Sequence, residues 1–301
     1  MCICFFFLHL HIPEVLMRSL WMLVAGFLFS CMGALVKLGS TYFSSTELVF
    51  YRSIIGFLII CVIVGIKRLP ISTLHWKNHC WRGLSGLGSL LMFFYCITKL
   101  PLATAVTLSY TSPLFLTLFT TIMLKEHFHW LLAVAVTIGF AGVILLLHPS
   151  IQEDQWTGGL IGLASGFLAA VAYLNIKFLG NLGEPDWRVV FYFTLISTII
   201  TSIWMMFDTF HPITPFNFLL LMGIGITATL AQLALTRAYH TGKVLVVGAL
   251  AYSTVLFACV WGILIWGEAL SLLSLIGIGC IVAGGLLSLK TSIIRPIKSK
   301  Q

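Results

Sequence analysis

One arginine lies inside a segment that is otherwise apolar. Arg52 follows Glu47 and Tyr51 within residues 46–66, a stretch long enough to cross a lipid bilayer. A charge at bilayer depth costs about 2.5–3.5 kcal/mol on insertion scales, so it indicates a functional site. The guanidinium fork is suited to a carboxylate, and we expect Arg52 to receive an anionic group of a ligand. The alternatives are an ion pair with Glu47 or a side chain that extends to the membrane surface.

Hydroxyl groups and a proline lie near the middle of two other apolar segments. Tyr110, Ser112 and Pro113 belong to one of them, and Tyr252 lies at the equivalent depth of the other. Proline removes a backbone donor and leaves a carbonyl about one turn earlier without its partner. Neighbouring hydroxyls and water in a cavity can supply that partner. We predict that Pro113 kinks its helix and that these polar residues face a central cavity; interhelical packing is their alternative role.

Amide and tyrosine side chains lie in further apolar segments. Asn175, Gln232 and Tyr95 are each surrounded by apolar residues in the sequence. A buried amide needs hydrogen-bond partners, and either a substrate or a neighbouring helix can supply them.

The polar residues show no pattern typical of catalysis or of metal binding. The chain has no glycine-rich phosphate loop and no paired carboxylates at bilayer depth, and histidines such as His75 and His129 lie near the ends of apolar segments. The eight cysteines are scattered without the spacing of metal ligands. The sequence therefore predicts neither an enzyme, nor a metal site, nor a bound cofactor.

The composition is that of an integral membrane protein. Of the 301 residues, 59% are hydrophobic and 9% are charged, whereas soluble domains carry about 25% charged residues. The long segments are apolar on nearly every side, which is typical of membrane helices and not of the alternating strands of a barrel. We predict an all-α polytopic membrane protein with ten transmembrane helices. Their approximate bounds are 19–39, 46–66, 82–100, 102–124, 128–148, 157–178, 187–207, 217–239, 243–266 and 270–290.

The positive charges are distributed unevenly over this topology. If both termini lie on one side of the membrane, every Lys and Arg belongs to that side except Lys37, Lys99 and Arg52. Arg82, at the start of the third segment, counts among the residues of the favoured side. Because cytoplasmic loops are rich in Lys and Arg, we expect a bacterial inner-membrane protein with both termini in the cytoplasm. The net charge of +8 then reflects topology and not nucleic-acid binding.

The second half of the chain repeats the hydrophobic pattern of the first. A shift of 142 positions aligns identical residues without a gap, and a shift of 141 aligns residues 49–51 with residues 190–192. Each copy contains an odd number of spans, so the two copies enter the membrane from opposite sides and form inverted repeats. The aligned identities include Leu108 with Leu250, Tyr110 with Tyr252, Glu126 with Glu268 and Gly142 with Gly284.

These patterns divide the chain into five parts. The apolar run in the first part is too short to span a membrane, so either translation starts at Met17 or that part lies at the interface. The parts are an N-terminal extension (1–16), the first five-helix repeat (17–148), a linker (149–156), the second five-helix repeat (157–290) and a basic cytoplasmic tail (291–301).

Residues that the two repeats share are expected to be structural. Glu126 and Glu268 each come just before the next helix, where a carboxylate caps exposed amides and meets the positive end of the helix dipole. Glycines in the last helix of each half provide surfaces for close helix contact. Those helices are expected to form either an internal scaffold or the interface of a homodimer.

The chain from about Met17 to Lys290 resembles the EamA-type carriers of the drug/metabolite transporter superfamily. The resemblance rests on Glu126 in a Leu-Lys-Glu stretch, Gly267-Glu268, Gly139-Phe-Ala-Gly142, Ala283-Gly284-Gly285 and the segment from Ala103 to Pro113. It implies a central substrate cavity lined by the first four helices of each half, with the fifth helix outside. The cavity candidates that it implies are Tyr51, Arg52, Tyr95, Tyr110, Ser112, Asn175, Tyr192, Gln232 and Tyr252.

The resemblance also implies transport of a small-molecule substrate across the lipid bilayer. No carboxylate lies near the middle of a predicted span, which disfavours lipophilic cations and favours neutral, zwitterionic or anionic solutes. An amino-acid-like substrate carried by alternating access is the leading hypothesis. Uptake of a cofactor-sized solute such as S-adenosylmethionine or riboflavin is the alternative within transport. A membrane scaffold that transports nothing is the alternative from another class.

Overall fold

The computed structural model describes residues 14–99, 102–123, 130–147, 156–267 and 271–294. Every regular element in these ranges is an α-helix, as the sequence predicts. The helices are α1 (Glu14–Ser19), α2 (Trp21–Gly39), α3 (Ser45–Ile66), α4 (Trp76–Lys99), α5 (Leu102–Ser109), α6 (Ser112–Met123), α7 (Trp130–Leu147), α8 (Trp156–Asn181), α9 (Asp186–Met205), α10 (Pro215–Thr241), α11 (Val244–Ala251), α12 (Ser253–Trp266) and α13 (Leu272–Ile294).

The lengths and compositions of the helices are those of a membrane protein. Eight helical stretches of the described chain are long and apolar enough to cross a bilayer, and a shorter apolar stretch covers Ala105–Thr120. The 24 residues of α4 include several polar ones in its first two turns, and a break separates α5 from α6. The helical membrane fold is therefore confirmed, while the count of ten spans stays a prediction.

A helix is interrupted where the sequence predicts a kink. Tyr110 and Thr111 separate α5 from α6, and Pro113 occupies the first turn of α6, where a helix needs no backbone donor. The hydroxyl of Thr111 donates to the carbonyl of Leu108 at 2.6 Å, which satisfies one acceptor at the break. The corresponding break in the second half lies at Tyr252, between α11 and α12, and arises without a proline.

The contacts between helices follow the repeat. α2 packs on α10 and α12, and its counterpart α8 packs on α4 and α6. α3 packs on its counterpart α9, and α7 packs on its counterpart α13. Exchanging the two halves maps each of these pairs onto another pair or onto itself. The bundle therefore has an approximate twofold arrangement.

The equivalent helices α3 and α9 run antiparallel. The backbone N–H of His211, in the loop after α9, donates to Glu47 in the first turn of α3 at 2.7 Å. Arg188, in the first turn of α9, donates to the carbonyl oxygen of Pro70 in the loop after α3 at 2.8 Å. Each helix therefore begins where the other ends, which is the relation that inverted repeats require.

Side chains from both halves meet in the largest buried cluster. Met22 and Leu116 of the first half pack with Ile176, Tyr239 and Val246 of the second. The outer surface of the bundle carries many exposed apolar side chains, which suits contact with lipid tails. The interior therefore depends on both halves together.

Glycines bring α7 and α13 into close contact. A Cβ atom on Gly142 would lie 2.6 Å from the carbonyl oxygen of Gly277, and one on Gly284 would lie 2.6 Å from that of Ala135. Only residues without a side chain allow backbones to approach so closely. The glycine faces that the sequence assigns to a scaffold or to a homodimer thus meet each other within the chain. A homodimer through other surfaces of these helices stays a prediction.

Some predicted features lie outside the described residues. These are Glu126 and Glu268, residues 1–13 of the extension 1–16, residues 149–155 of the linker and residues 295–301 of the tail.

Two glycines on α13 provide a test of the α7–α13 contact. Gly277 faces the backbone of α7, whereas a Cβ on Gly279 would meet no atom within 4 Å. We expect Gly277→Ala to lower the free energy of unfolding by about 1–3 kcal/mol, because α7 must move away. Gly279→Ala gains about 1 kcal/mol of helix propensity and meets nothing. Thermal unfolding of both purified variants in detergent measures the difference, and equal melting temperatures would contradict the contact.

Candidate functional site

Two arginines lie inside the bundle. Arg52 belongs to α3, and Arg82 belongs to α4 and is only 3% exposed. The sequence pattern counts Arg82 among the residues of the cytoplasmic side, which predicts an accessible charge, but the structure buries this side chain. α4 begins at Trp76, six residues before Arg82, so its first two turns already belong to the packed helix. The apolar segment from which the prediction was made starts later than the helix does.

Among the described residues, the guanidinium of Arg82 has no acidic partner. Its Cζ atom lies 4.5 Å from the centre of the Phe193 ring, a cation–π contact. Its Nε and Nη1 atoms are buried and make no hydrogen bond. Gly86, one turn further along α4, makes room for this position, since a Cβ there would overlap Nη1. Arg82 is therefore a buried cation with unused donors.

Arg52 also has no ion pair with the nearest acidic residue in the sequence. The Glu47 carboxylate instead accepts from the Ser44 backbone at 2.9 Å and contacts Nδ1 of His211 at 2.6 Å. The buried Nε of Arg52 makes no hydrogen bond, and the residue as a whole is partly accessible. The alternative of an Arg52–Glu47 pair is thus excluded.

One tyrosine lies near both arginines, and three more tyrosines lie near it or near one another. Tyr173 interacts electrostatically with both Arg52 and Arg82, and its ring stacks on that of Tyr239 with centroids 4.8 Å apart. Tyr239 lies in turn within electrostatic range of Tyr110 and Tyr252. The buried hydroxyls of Tyr239 and Tyr252 have no hydrogen-bond partner. We call these six residues the central polar cluster: Arg52, Arg82, Tyr110, Tyr173, Tyr239 and Tyr252.

Three of the residues predicted to line a cavity belong to this cluster. They are Arg52, Tyr110 and Tyr252, and the last two come from the equivalent helix breaks. Ser112 and Gln232 are both buried, at the start of α6 and within α10. α6 follows Tyr110 in the chain, and α10 carries Tyr239, so Ser112 and Gln232 both lie on helices next to the cluster.

The other predicted residues lie elsewhere. Asn175 donates to a carbonyl one turn earlier in its own helix at 2.9 Å. Tyr51 packs against two phenylalanine rings near the start of α3. Tyr192 stacks on His79 near the start of α9, with ring centroids 4.6 Å apart. The side chain of Tyr95 is 44% exposed. The structure does not bring these four residues into the cluster.

Sequence reasoning missed Arg82, Tyr173 and Tyr239. Tyr173 lies two residues before Asn175 in the apolar part of α8, and a tyrosine in an apolar run is the same signal that identified Tyr95. Arg82 had a weaker signal, since glycine at position 86 is what leaves space for its side chain. Tyr239 is the last residue of its predicted span, so nothing in the sequence indicated that it lies in the interior of the bundle.

A polar network holds the first turn of α3. Ser44 and Glu47 form a reciprocal capping box, and Glu47 also accepts from the His211 backbone. We call this the Glu47 network. A surface pocket of about 440 Å³ lies beside it, lined by Thr41, Tyr42, His211, Pro212, Thr214, Phe216 and Asn217. This pocket is at the end of the helices and contains no residue of the central polar cluster.

A second network holds the first turn of α9 at the opposite end of the bundle. Glu184 accepts from Thr73 and from Nη1 of Arg188, the latter at 2.8 Å, and Nε2 of His79 lies 3.3 Å from it. We call this the Glu184 network. The shift of 141 that relates the repeats converts the Glu47–His211 contact into the Arg188–Pro70 contact. The two networks are therefore repeat-related contacts between the halves.

The environment of Glu184 favours its charged form. Burial by itself would raise the pKa of this carboxyl, but hydrogen bonds from Thr73, Arg188 and His79, with the charge of Arg188, outweigh burial and lower the pKa. Glu184 is therefore an anion at neutral pH. Within the described residues, no group of three or more His, Cys, Asp or Glu side chains is placed to hold a metal ion.

Membrane-length helices in two similar halves, with a buried polar centre between them, define a membrane transporter. The model of the EamA-like transporter family matches residues 16–148 and 156–290. The chain belongs to this family, which confirms the resemblance to EamA-type carriers of the drug/metabolite transporter superfamily. The two matches show two copies of the family's repeat in this chain, while five helices in each copy stays a prediction.

Relatives of the chain are named as transporters. The pseudopaline exporter CntI of Pseudomonas aeruginosa is 32% identical over 84% of this chain and 89% of its own length. An uncharacterized transporter of Helicobacter pylori is 28% identical over 92% of this chain and 95% of its own. The riboflavin transporter of Vibrio cholerae is 28% identical over 74% and 76% of the two chains. A solved crystal structure with 18% identity has a TM-score of 0.82 over 92% of this chain and 98% of its own, which shows a shared fold.

The Glu184 network predicts how stability depends on pH. Because the folded pKa lies below the ordinary value of 4.5, the stabilisation is complete above that pH and is lost as the pH falls through the folded pKa. We expect Glu184→Gln to lower the free energy of unfolding by about 2 kcal/mol at pH 7, and the difference from wild type to vanish in acid. Thermal unfolding between pH 3 and pH 7 measures this. Asp208→Asn, in the loop after α9, is the control, and a pH-independent difference would contradict the prediction.

Proposed function

We propose that this protein is a secondary transporter that carries small metabolites with an acidic group, bound at the central polar cluster. The observation that carries the proposal is the pair of arginines inside the bundle with buried nitrogen atoms that make no hydrogen bond. Membership of a transporter family and relatives named as transporters support small-metabolite transport. That the substrate carries an acidic group is proposed from the two arginines alone.

Three of the described carboxylates contact residues other than these arginines. Glu47 contacts His211, Glu184 contacts Arg188 and Asp186 contacts His240. A buried cation without a counter-ion is costly in a low-dielectric interior. A carboxylate of the substrate would supply the missing charge and the missing acceptors, and the planar guanidinium matches its geometry. An anionic or zwitterionic solute therefore fits the cluster better than a cation does.

The two end networks fit transport by alternating access. They lie at opposite ends of the antiparallel helices α3 and α9, and each joins a helix start of one half to a loop of the other. Opening one end would require one network to break while the other persists. Rocking of two inverted halves around a fixed central site produces this exchange.

The membrane and the substrate belong to the same proposal. The distribution of Lys and Arg favours a bacterial inner membrane with cytoplasmic termini, and amino-acid-like solutes would satisfy the cluster. The relatives are named for different substrates, including riboflavin and S-adenosylmethionine uptake. These names favour a cofactor-sized solute as the second candidate. A membrane scaffold would bind no solute at all.

Replacement of Arg52 tests the proposed site. We expect Arg52→Ala to reduce the flux of an acidic substrate at least tenfold, because a charged hydrogen bond contributes about 1.5–3 kcal/mol. Arg52→Lys keeps the charge but loses the planar fork, and should retain part of the flux. The measurement is uptake into proteoliposomes, with substrates chosen by thermal stabilisation of the purified protein across amino acids, carboxylic acids and cofactors.

The control variant is Arg237→Ala. Arg237 is exposed on α10, where its guanidinium lies 5.0 Å from the Trp21 ring, so its loss should leave flux unchanged. Full flux in Arg52→Ala would disprove a role for this arginine. Absence of both stabilisation and flux for every solute would favour the scaffold.

A further inference from the structure

We propose that the substrate carries two acidic groups, one bound by Arg52 and the other by Arg82. This inference rests on the proposed function and makes its substrate class more specific. The observation behind it is that a second buried guanidinium, on α4, belongs to the same cluster, has two nitrogen atoms without a hydrogen bond and has no carboxylate partner among the described residues.

Two neighbouring residues fix the position of the Arg82 guanidinium. Gly86 leaves the volume that the guanidinium occupies, and the Phe193 ring supports it from α9 at 4.5 Å. A cation–π contact leaves the edge of the guanidinium, with its N–H donors, available to a ligand. Since the residue is 3% exposed, the membrane surface cannot satisfy those donors.

The two arginines also act on each other. Arg52 and Arg82 are close enough for electrostatic repulsion, and Tyr173 lies within range of both. A neutral phenol can accept a hydrogen bond but cannot balance two positive charges. One monoanion would leave one of the two charges uncompensated. A ligand with two acidic groups balances both, and each group receives its own guanidinium.

Both charges come from the first half of the chain. The shift of 141 pairs Arg52 with Phe193 and Arg82 with Gly223, so the second half has no equivalent cation. The second half contributes aromatic rings instead: Tyr173 of α8 and Tyr239 of α10 stack on each other. The cluster therefore combines two cations of the first half with tyrosines of both halves. A substrate with two acidic groups matches the two cations.

Matched pairs of ligands test the inference. The probes are glutamate and glutamine, succinate and succinamate, and N-acetylglutamate and N-acetylglutamine, each pair differing in one carboxylate against one carboxamide. Binding to the purified full-length protein is measured by isothermal titration and thermal shift. We expect the diacid of a pair to bind at least tenfold more tightly than its amide to the wild type, since a charged pair exceeds a neutral hydrogen bond.

Variants then assign the preference to Arg82. Arg82→Gln should bring the diacid and the amide to within about twofold of each other, while binding of the amide persists through Arg52. Gly86→Ala keeps the arginine but displaces its guanidinium, and should cause the same loss of preference. Gly33→Ala, where a Cβ would meet no atom within 4 Å, should bind like the wild type. Size-exclusion profiles identify variants that fail to fold.

The outcomes separate this inference from the function it rests on. If amides bind as tightly as diacids in an Arg52-dependent way, the inference of two acidic groups is wrong and the proposed function stands. The same holds if Arg82→Gln and Gly86→Ala both fold and both keep the full preference. If no acid of either kind binds, the proposed function fails and the inference fails with it.

Discussion

The hydrocarbon core of a membrane offers no hydrogen bonds, and this constraint shapes every level of the structure. Most of the described backbone is helical, and many hydroxyls donate to carbonyls of their own helix, as Ser53 does to Val49 at 2.8 Å and Thr201 does to Ser197 at 2.7 Å. Such a bond uses the hydroxyl's donor within its own helix, so that this donor is not available to a ligand. The arginines and buried tyrosine hydroxyls that lack this local solution are therefore the groups that a ligand can satisfy.

The same constraint explains the division of the bundle into a frame and a site. α7 and α13 meet through glycine backbones, without charged residues, and this contact needs no partner that could be lost during transport. The polar contacts between the halves lie instead at the ends of α3 and α9, in the Glu47 network and the Glu184 network. Between them lies a cluster whose two charges repel each other when it is empty. On the proposed function, a bound anion would remove that repulsion and would favour closure around the occupied site.

The sequence predicted the helices, the two halves and three members of the cluster because each of these leaves a periodic or compositional signal. Arg52 stood alone in an apolar run, and Tyr110 and Tyr252 stood at equivalent positions of the repeat. Arg82 was missed because an arginine at the edge of an apolar segment is normally assigned to the cytoplasmic side of the membrane. Only the structure shows that α4 begins earlier, at Trp76, and that Arg82 therefore lies within the packed helix. Tyr51 and Tyr192 are equivalent in sequence, and each lies near the start of its helix. Because the two helices are antiparallel, the two tyrosines lie at opposite ends of the bundle and do not meet at one site.

A cluster with two cations has a consequence for the direction of transport. In a membrane with a negative interior, each negative charge moving outward is driven by about 2.3 kcal/mol per 100 mV, so a dianion would be driven outward by about twice that amount. Uptake of the same solute would need two coupled monovalent cations to cancel this force and a third to reverse it. Transporters usually bind such cations at deep carboxylates. In the part of the chain that the structure describes, Glu47 and Glu184 are instead committed to the end networks. An anionic substrate therefore favours export, in which the membrane potential alone supplies the driving force.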